Sequence, residues 1–304
     1  MISESTDLAV VIVSWNVREL LGDCLESLSL AMGKTGVQGP VWVIDNASTD
    51  GSVDLVRERY SWVHLVAQDR NLGYVRANNL ALADLQTRAR YIWLLNPDTV
   101  VNANALQRLI EFMETDTDAG LIGPKLLNVD GSVQESAFHF PGVIQALFAL
   151  ELMPQRLYYT ILNGRYSSPR YAQQAPFPID HPLGAAMMVR AQTVRDVGLL
   201  DEGFFMYCEE IDWAWRMKNA GWGRWLVPSA EITHVGGAST GQARPETTAH
   251  LWRSRARLYQ KHRGRLVRTV VSTAVKHVFS ERLADAPSPA WAQTYREILQ
   301  AWSE

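Results

Sequence analysis

The chain has 304 residues, 47% of them hydrophobic and 20% charged, with a formal net charge of −3. That is the size of one large domain or two smaller ones with a normal buried core, and the balance of charge gives no global reason to bind nucleic acid. Two cysteines cannot form a zinc cluster alone; Cys24 falls at a core position of a helical pattern, and both it and Cys208 read as reduced thiols of a cytosolic protein.

The start, Met1-Ile2-Ser3-Glu4-Ser5-Thr6-Asp7, is polar and lacks the basic stretch of a secretory leader. Residues 8–14 are apolar and β-branched and predict a buried strand, far short of the ~20 residues that span a bilayer. Leu20, Leu21, Cys24, Leu25 and Leu28 follow at helical spacing. Residues 41–44 predict the second strand, 52–60 a short helix, 63–66 the third strand and 74–85 an alanine-rich helix. The fourth strand is expected at 91–95 and a helix at 104–113. This alternation argues for a parallel sheet covered on both faces. Residues 123–128 look like a short strand, and beyond Val129 the pattern changes. Residues 139–180 are aromatic and interrupted by proline, the profile of a substrate loop or small lid. Another strand is expected at 187–190, a helix at 209–220 ended by Gly221, and a late strand at 225–228 leading to Ile232-Thr233-His234. From His250 to Arg282 the chain is basic and amphipathic, with Glu281 its lone acid. Such a segment suits an anionic membrane surface, or packs on the domain as an ordinary solvated helix, or turns some arginines toward ligand phosphates.

Chemistry-bearing residues collect where predicted strands end, the place where open α/β sheets bind ligands. Asp45-Asn46-Ala47-Ser48-Thr49-Asp50-Gly51 lies between a strand and a helix. A polar turn is expected there in any case, and Asp50 can cap the helix; presented together, these groups can also hold a nucleobase edge and ribose hydroxyls. Asn96-Pro97-Asp98 ends a very apolar strand, where proline stops the pairing. Its carboxylate reads either as part of a turn or as a ligand for Mg²⁺ or Mn²⁺ carrying a diphosphate. Glu209-Glu210-Ile211-Asp212 opens a helix, whose dipole favours each acid by about 0.3–1 kcal/mol. Beneath Phe204-Phe205-Met206-Tyr207, which can wall a sugar, the adjacent glutamates are candidates for a base of raised pKa. His234, among Gly236, Gly237 and Ser239, is with Asp98 a candidate metal ligand.

In order, Val13-Ser14-Trp15-Asn16, Asp45 through Ser52, Asn71-Leu72-Gly73-Tyr74, Leu95-Asn96-Pro97-Asp98 and Phe204 through Trp213 resemble the inverting family 2 glycosyltransferases, most of all their rhamnosyltransferase-like members. The resemblance runs from about residue 8 to 264. It implies an α/β GT-A fold, a Rossmann-like mixed sheet, with a C-terminal helical extension. Residues 1–245 would form the glycosyltransferase domain, with a donor half over about 1–128 and an acceptor half over about 129–245, and 246–304 the basic helical tail. It also implies that Ser14, Asn16, Asp45, Asn46, Ser48, Asp50, Asn71, Gly73, Asn96, Asp98 and Gly184 belong to the nucleotide-sugar pocket. Asp98 matches the last acid of the family's DxD motif and His234 a metal-binding histidine, for Mn²⁺ or Mg²⁺. Glu210 matches the catalytic base, with Glu209 competing for the role. Gly184-Ala185 matches a small-residue segment that lets a sugar approach the backbone.

The implied donor is deoxythymidine-diphosphate rhamnose, or a uridine-diphosphate sugar. The implied acceptor is a glycan or lipid-linked sugar, reached by a cytoplasmic protein whose tail rests on the inner membrane face. Three positions depart from the family pattern. Asn96 stands where the first acid of the motif is usual, Glu209-Glu210 where Glu-Asp is usual, and Arg76 where small residues follow Asn-Leu-Gly-Tyr. Two other classes remain for comparison. One is a catalytically silent glycan-binding scaffold, which transfer from a donor panel would exclude. The other is a sugar-nucleotide-forming nucleotidyltransferase, disfavoured because Ser14-Trp15-Asn16-Val17-Arg18-Glu19 holds no glycine-rich loop.

Overall fold

The computed structural model describes residues 6–236 and 244–303; the polar start at 1–5 and the positions of Gly237 and Ser239 lie outside the described residues. The first half alternates as the sequence predicts: β1 (Thr6–Ser14), α1 (Arg18–Thr35), β2 (Val41–Asp45), α2 (Ser52–Arg59), β3 (Val63–Ala67), α3 (Gly73–Leu85) and β4 (Ala89–Leu95). These strands pair in parallel in the order β3-β2-β1-β4. The chain winds outward from β1 to β3 and then returns through α3 to the other side of β1. That reversal opens a crevice beyond the C-terminal ends of β1 and β4. Successive residues of β1 face opposite ways: Leu8, Val10 and Ile12 pack with Leu21, Leu25 and Trp93, whereas Ala9, Val11 and Val13 pack with Val75, Leu82 and Trp213.

The second half makes the sheet mixed. It holds β5 (Thr99–Val101), α4 (Ala105–Thr115), β6 (Ala119–Leu127), β7 (Val133–Gln134), β8 (Ala137–Phe138), α5 (Val143–Ala149), α6 (Ser168–Ala172), β9 (Phe177–Pro178), β10 (His181–Pro182), β11 (Ala186–Arg190), α7 (Ala191–Val197), α8 (Glu209–Asn219) and β12 (Gly223–His234). β11 inserts antiparallel between β4 and β6, and β12 lies parallel to β6, giving β3-β2-β1-β4-β11-β6-β12-β5. The sheet is therefore parallel over the alternating first half and mixed as a whole, as the family resemblance implies. β6 starts earlier than 123 because Gly120 and Gly123 are not breakers. A Cβ at Gly120 would lie 2.7 Å from Trp222, and one at Gly123 2.6 Å from Pro182, so both mark close approaches inside a strand. The late strand and the 232–234 segment are one strand, with a register shift between Val227 and Glu231 that accommodates Pro228.

The basic segment packs on the domain. It forms α9 (Arg244–His262) and α10 (Arg265–Ala284), followed by α11 (Pro289–Ala301). Trp252, Tyr259, Val275, Phe279, Ile298 and Trp302 make a small core of their own with α5. Several of its charges are spent inward. Arg257 and Lys261 pair with Asp201 at 2.9 and 2.6 Å, and Arg263 donates to the carbonyls of Phe140 and Pro141. Lys261 and His262 reach Asp212 of α8 at 2.6 and 2.7 Å. Burial opposes ionisation of Asp212, and His262, Lys261 and Arg216 overcome it and hold the carboxyl well below its usual range. Among the described residues no helix is long and apolar enough to cross a membrane.

Candidate active site

A cavity of about 560 Å³ occupies the crevice, within the range of small-molecule sites. Asn46, Asn71, Gly73, Asn96, Asp98, Gly184, Glu209, Glu210 and His234 line it, so nine of the sequence-predicted residues, drawn from 46 to 234, meet in one place. Trp15, Tyr74, Leu183, Phe205, Met206 and Tyr207 also stand in its walls, and α9 contributes Glu246, Thr247 and His250. The helix expected to be a tail thus closes the site, with His250 stacked on Phe205 at 4.4 Å between centroids. Phe204 is not a wall residue; it is buried in the core beneath Arg257 and Lys261.

Ser14, Asn16, Asp45, Ser48 and Asp50 stand beside this cavity, not in its wall. Asn16 and Ala47 take left-handed φ values of 53° and 62°, a strained geometry that concentrates at functional edges. The turn is tied down by its own side chains: Asn16 accepts from the Thr49 amide, and Asp45 Oδ1 from the Ser48 amide, both at 2.8 Å. Asp50 does not cap α2 alone; its carboxylate accepts from Ser52 and, at 2.8 Å, from the Arg18 amide at the start of α1. Ser14 and Asp45 are register partners across β1 and β2. Ser14 Oγ and Asp45 Oδ2 are buried and have no hydrogen-bond partner among the described residues, an unsatisfied polar pair at the strand ends. Arg76 is a surface residue of α3, paired with Glu202 at 3.4 Å.

Asp98 and His234 are brought together by strand pairing. β5 and β12 align Thr99 with His234, and the Val235 amide donates to the Asp98 carbonyl at 2.9 Å. His234 Nε2 then lies 3.4 Å from Asp98 Oδ1. Gln134, which the sequence reading missed, sits 2.7 Å from His234 Nδ1 through its Oε1. Its Nε2 donates to Asn128 and to the His234 carbonyl, so its oxygen must face the ring and accept the Nδ1 proton. In the neutral ring this leaves the Nε2 lone pair toward Asp98, the arrangement by which ligating histidines are oriented. Among the described residues no group of three or more His, Cys, Asp or Glu is set to hold a metal. A carboxylate and an imidazole nonetheless fit a Mg²⁺ or Mn²⁺ ion that draws its other oxygens from substrate phosphates and water.

The glutamates stand at the start of α8, after Tyr207 and Cys208 at φ 67° and 65°. A Cβ built on Gly184 would lie 3.7–3.8 Å from Glu210, so any side chain there would cover that carboxylate. Burial raises Glu210 to about 7, against the pull of the backbone amides at the helix start. Burial and the charge of Glu210 push Glu209 well above its usual range, and Glu209 Oε2 is sealed without a hydrogen bond among the described residues. Both carboxyls are therefore pushed toward their protonated forms, and they titrate as a pair.

The aromatic loop is latched to α3. The Phe205 carbonyl accepts from the Tyr74 and Val75 amides at 2.9 and 3.4 Å. Gly73 has φ +80°, and a Cβ there would lie 2.6 Å from the Phe205 ring and 2.7 Å from its carbonyl. Gly73→Ala is expected to cost about 1–3 kcal/mol and to displace the Phe205–Tyr207 loop. Thermal melting should show the loss, and a rise in KM for the donor should accompany it; an unchanged KM would mean that the loop does not shape the site.

Residues 9–182 match the family model described as Glycosyl transferase family 2. An N-acetylglucosaminyl-diphospho-decaprenol L-rhamnosyltransferase of Mycobacterium tuberculosis (strain ATCC 25618 / H37Rv) is 32% identical over 250 residues, which cover 77% of this chain and 78% of that protein. Among solved structures, GalNAc-T7 with UDP, GalNAc and Mn²⁺ aligns over 97% of this chain and 55% of its own, with a TM-score of 0.59 at 13% identity. S. aureus TarS 1-349 in complex with UDP-GlcNAc aligns over 97% of this chain and 81% of its own, with a TM-score of 0.55 at 16% identity. Such low identities speak for the fold alone, which is the GT-A arrangement of a mixed sheet. The chain belongs to glycosyl transferase family 2, and it is a glycosyltransferase.

Proposed function

We propose that the protein transfers rhamnose, with inversion, from its nucleoside diphosphate to a hydroxyl of a lipid-linked glycan precursor at the inner face of the cell membrane. The observation that carries this reading is one cavity in which Glu210 faces Gly184 and the Asp98–His234 pair lines the same wall. The rhamnosyl donor and the lipid-linked acceptor are supported by the mycobacterial relative, an N-acetylglucosaminyl-diphospho-decaprenol L-rhamnosyltransferase.

In this reading Ser14 Oγ and Asp45 Oδ2 receive the base and ribose, and Asn46, Asn71 and Gly73 lead toward the diphosphate. A divalent cation held by Asp98 and His234 would neutralise charge on the departing diphosphate. Glu210 removes the proton of the acceptor hydroxyl. The oxygen bonds to the anomeric carbon from the face opposite the leaving group, the carbon–oxygen bond to the diphosphate breaks, and the proton stays on Glu210. Glu209, carrying its own proton, keeps a second negative charge away from the incoming oxygen.

Thermal shift with dTDP, UDP and GDP, each with and without Mn²⁺, tests the donor. A ligand at 100 times its Kd stabilises a fold by about 2.7 kcal/mol, so dTDP with Mn²⁺ should raise Tm clearly and the others little. A shift with UDP alone would move the donor to a uridine-diphosphate sugar. No shift with any of the three, together with no transfer, would turn the reading toward a silent glycan-binding scaffold.

A further inference from the structure

Behind Glu210 the molecule holds a second cavity, of about 270 Å³, that reaches from Glu210 and Cys208 to Tyr158, Trp252, Tyr259 and Trp302. Its walls are mostly apolar, aromatic and aliphatic together, yet Arg255 of α9 stands in them. The other cations nearby are matched: Arg165 pairs with Glu135 at 2.7 Å, and Arg257 and Lys261 with Asp201. Arg255 has neither an ion pair nor a hydrogen bond among the described residues. Its guanidinium lies over the Trp252 ring, 4.6 Å from the centroid. Burial pushes its pKa down, and the ionisable groups around it are Cys208, Tyr259 and Tyr158, none of them a carboxylate. A partly buried, uncompensated guanidinium is costly unless a ligand brings the missing charge. A guanidinium offers paired N–H donors, the geometry that phosphate oxygens accept best.

The same cavity opens onto an apolar surface. Tyr158 stands in its wall and is 39% exposed, and beyond it Tyr159, Ile161 and Leu162 are 77%, 72% and 45% exposed. Exposed side chains of this size in one run mark a contact surface. An anion site between a base and an apolar exit fits a molecule with three parts in that order: a sugar hydroxyl, a phosphate and a lipid.

Resting on the function proposed above, we propose that this second cavity is the acceptor subsite, with Arg255 binding the phosphate that joins the acceptor sugar to its lipid. The lipid leaves past Tyr158 and lies across Tyr159, Ile161 and Leu162. The basic helix thus serves the acceptor through one inward-facing arginine, while its other charges fasten it to the domain.

The test uses the full chain and three synthetic N-acetylglucosamine acceptors: one joined to a prenyl chain by a diphosphate, one to a methyl group by a diphosphate, and one an octyl glycoside without phosphate. Arg255→Gln should lower the kcat/KM ratio of the prenyl diphosphate acceptor to the octyl glycoside by about 10- to 100-fold, the scale of hydrogen bonds to a charged group. Arg255→Lys should recover part of that ratio. An unchanged ratio would overturn the assignment, since a merely structural arginine would affect all acceptors alike. Equal kcat/KM for the prenyl and methyl diphosphates in the unaltered protein would overturn the lipid path. Binding of farnesyl diphosphate, followed by tryptophan fluorescence because Trp252 and Trp302 line the cavity, separates this proposal from the wider one. Binding that Arg255→Gln weakens about 10-fold or more supports the subsite even if no rhamnose is transferred, and binding that the substitution leaves unaltered overturns it. The dTDP-induced Tm shift confirms that the variant is folded.

Discussion

Glu210→Gln is expected to lower kcat by about 10²–10⁴-fold, the usual contribution of a general base, while the nucleoside diphosphate still raises Tm. Glutamine keeps the shape of the side chain and the contact with Gly184 but cannot take a proton. Glu209→Gln should retain most of the activity, because burial and the charge of Glu210 push Glu209 toward the neutral acid that glutamine imitates. If instead Glu209→Gln is the silent variant and Glu210→Gln the active one, the two roles exchange. The pH dependence follows from the same environment. The reactive form of Glu210 is the carboxylate and its pKa is raised to about 7, so kcat/KM should climb about tenfold per pH unit below 7 and level off above it. The stability effect has the opposite sense. A carboxyl whose pKa is raised in the folded state binds its proton more tightly there, so its contribution is fully present below the ordinary value of 4.5 and is lost as pH rises through about 7. The unaltered protein should therefore lose Tm relative to Glu210→Gln between pH 4.5 and 7.

What the sequence reveals and hides follows from how local each signal is. The parallel half is legible because β1, β2 and β4 are buried on both faces and read as unbroken apolar runs. Their ends are legible too, since polar residues at the end of such a run have nowhere to go but the crevice. The mixed half is harder. Gly120 and Gly123 look like breaks until Trp222 and Pro182 are seen against them, and Pro228 looks like the end of a strand until the bulge in β12 is seen. Nothing local marks Gln134, which touches a histidine 100 residues away only because the sheet aligns β7 with β6 and β12 with β6. The wall supplied by Glu246, Thr247 and His250 is equally non-local. The basic composition of that segment suggests a surface, whereas Asp201 and Asp212 draw its charges inward.

Asp98→Ala is expected to abolish the Mn²⁺-dependent part of the nucleoside diphosphate's Tm shift and to reduce transfer to a level that Mn²⁺ no longer raises. The reasoning starts from the small number of ligands. With Asn96 in place of an acid, the strand end carries one carboxylate, and among the described residues the candidate second ligand that the fold brings to it is His234, at 3.4 Å. Losing half of a two-residue set leaves little to hold an ion against solvent, whereas a site rich in carboxylates would survive. His234→Ala should behave in the same way. Gln134 offers a finer measure, because it does not line the main cavity and meets it through the ring and carbonyl of His234. Gln134→Ala should weaken Mn²⁺ affinity about 10–100-fold, the usual loss when the partner of a ligating histidine is removed. Gln134→Glu, which still accepts the Nδ1 proton, should restore it. Electron paramagnetic resonance of free Mn²⁺ reads the affinity directly, without relying on turnover. A Mn²⁺-dependent shift that survives Asp98→Ala would show that this carboxylate is not a ligand, and the charge of the leaving diphosphate would then have to be met by side chains instead of an ion.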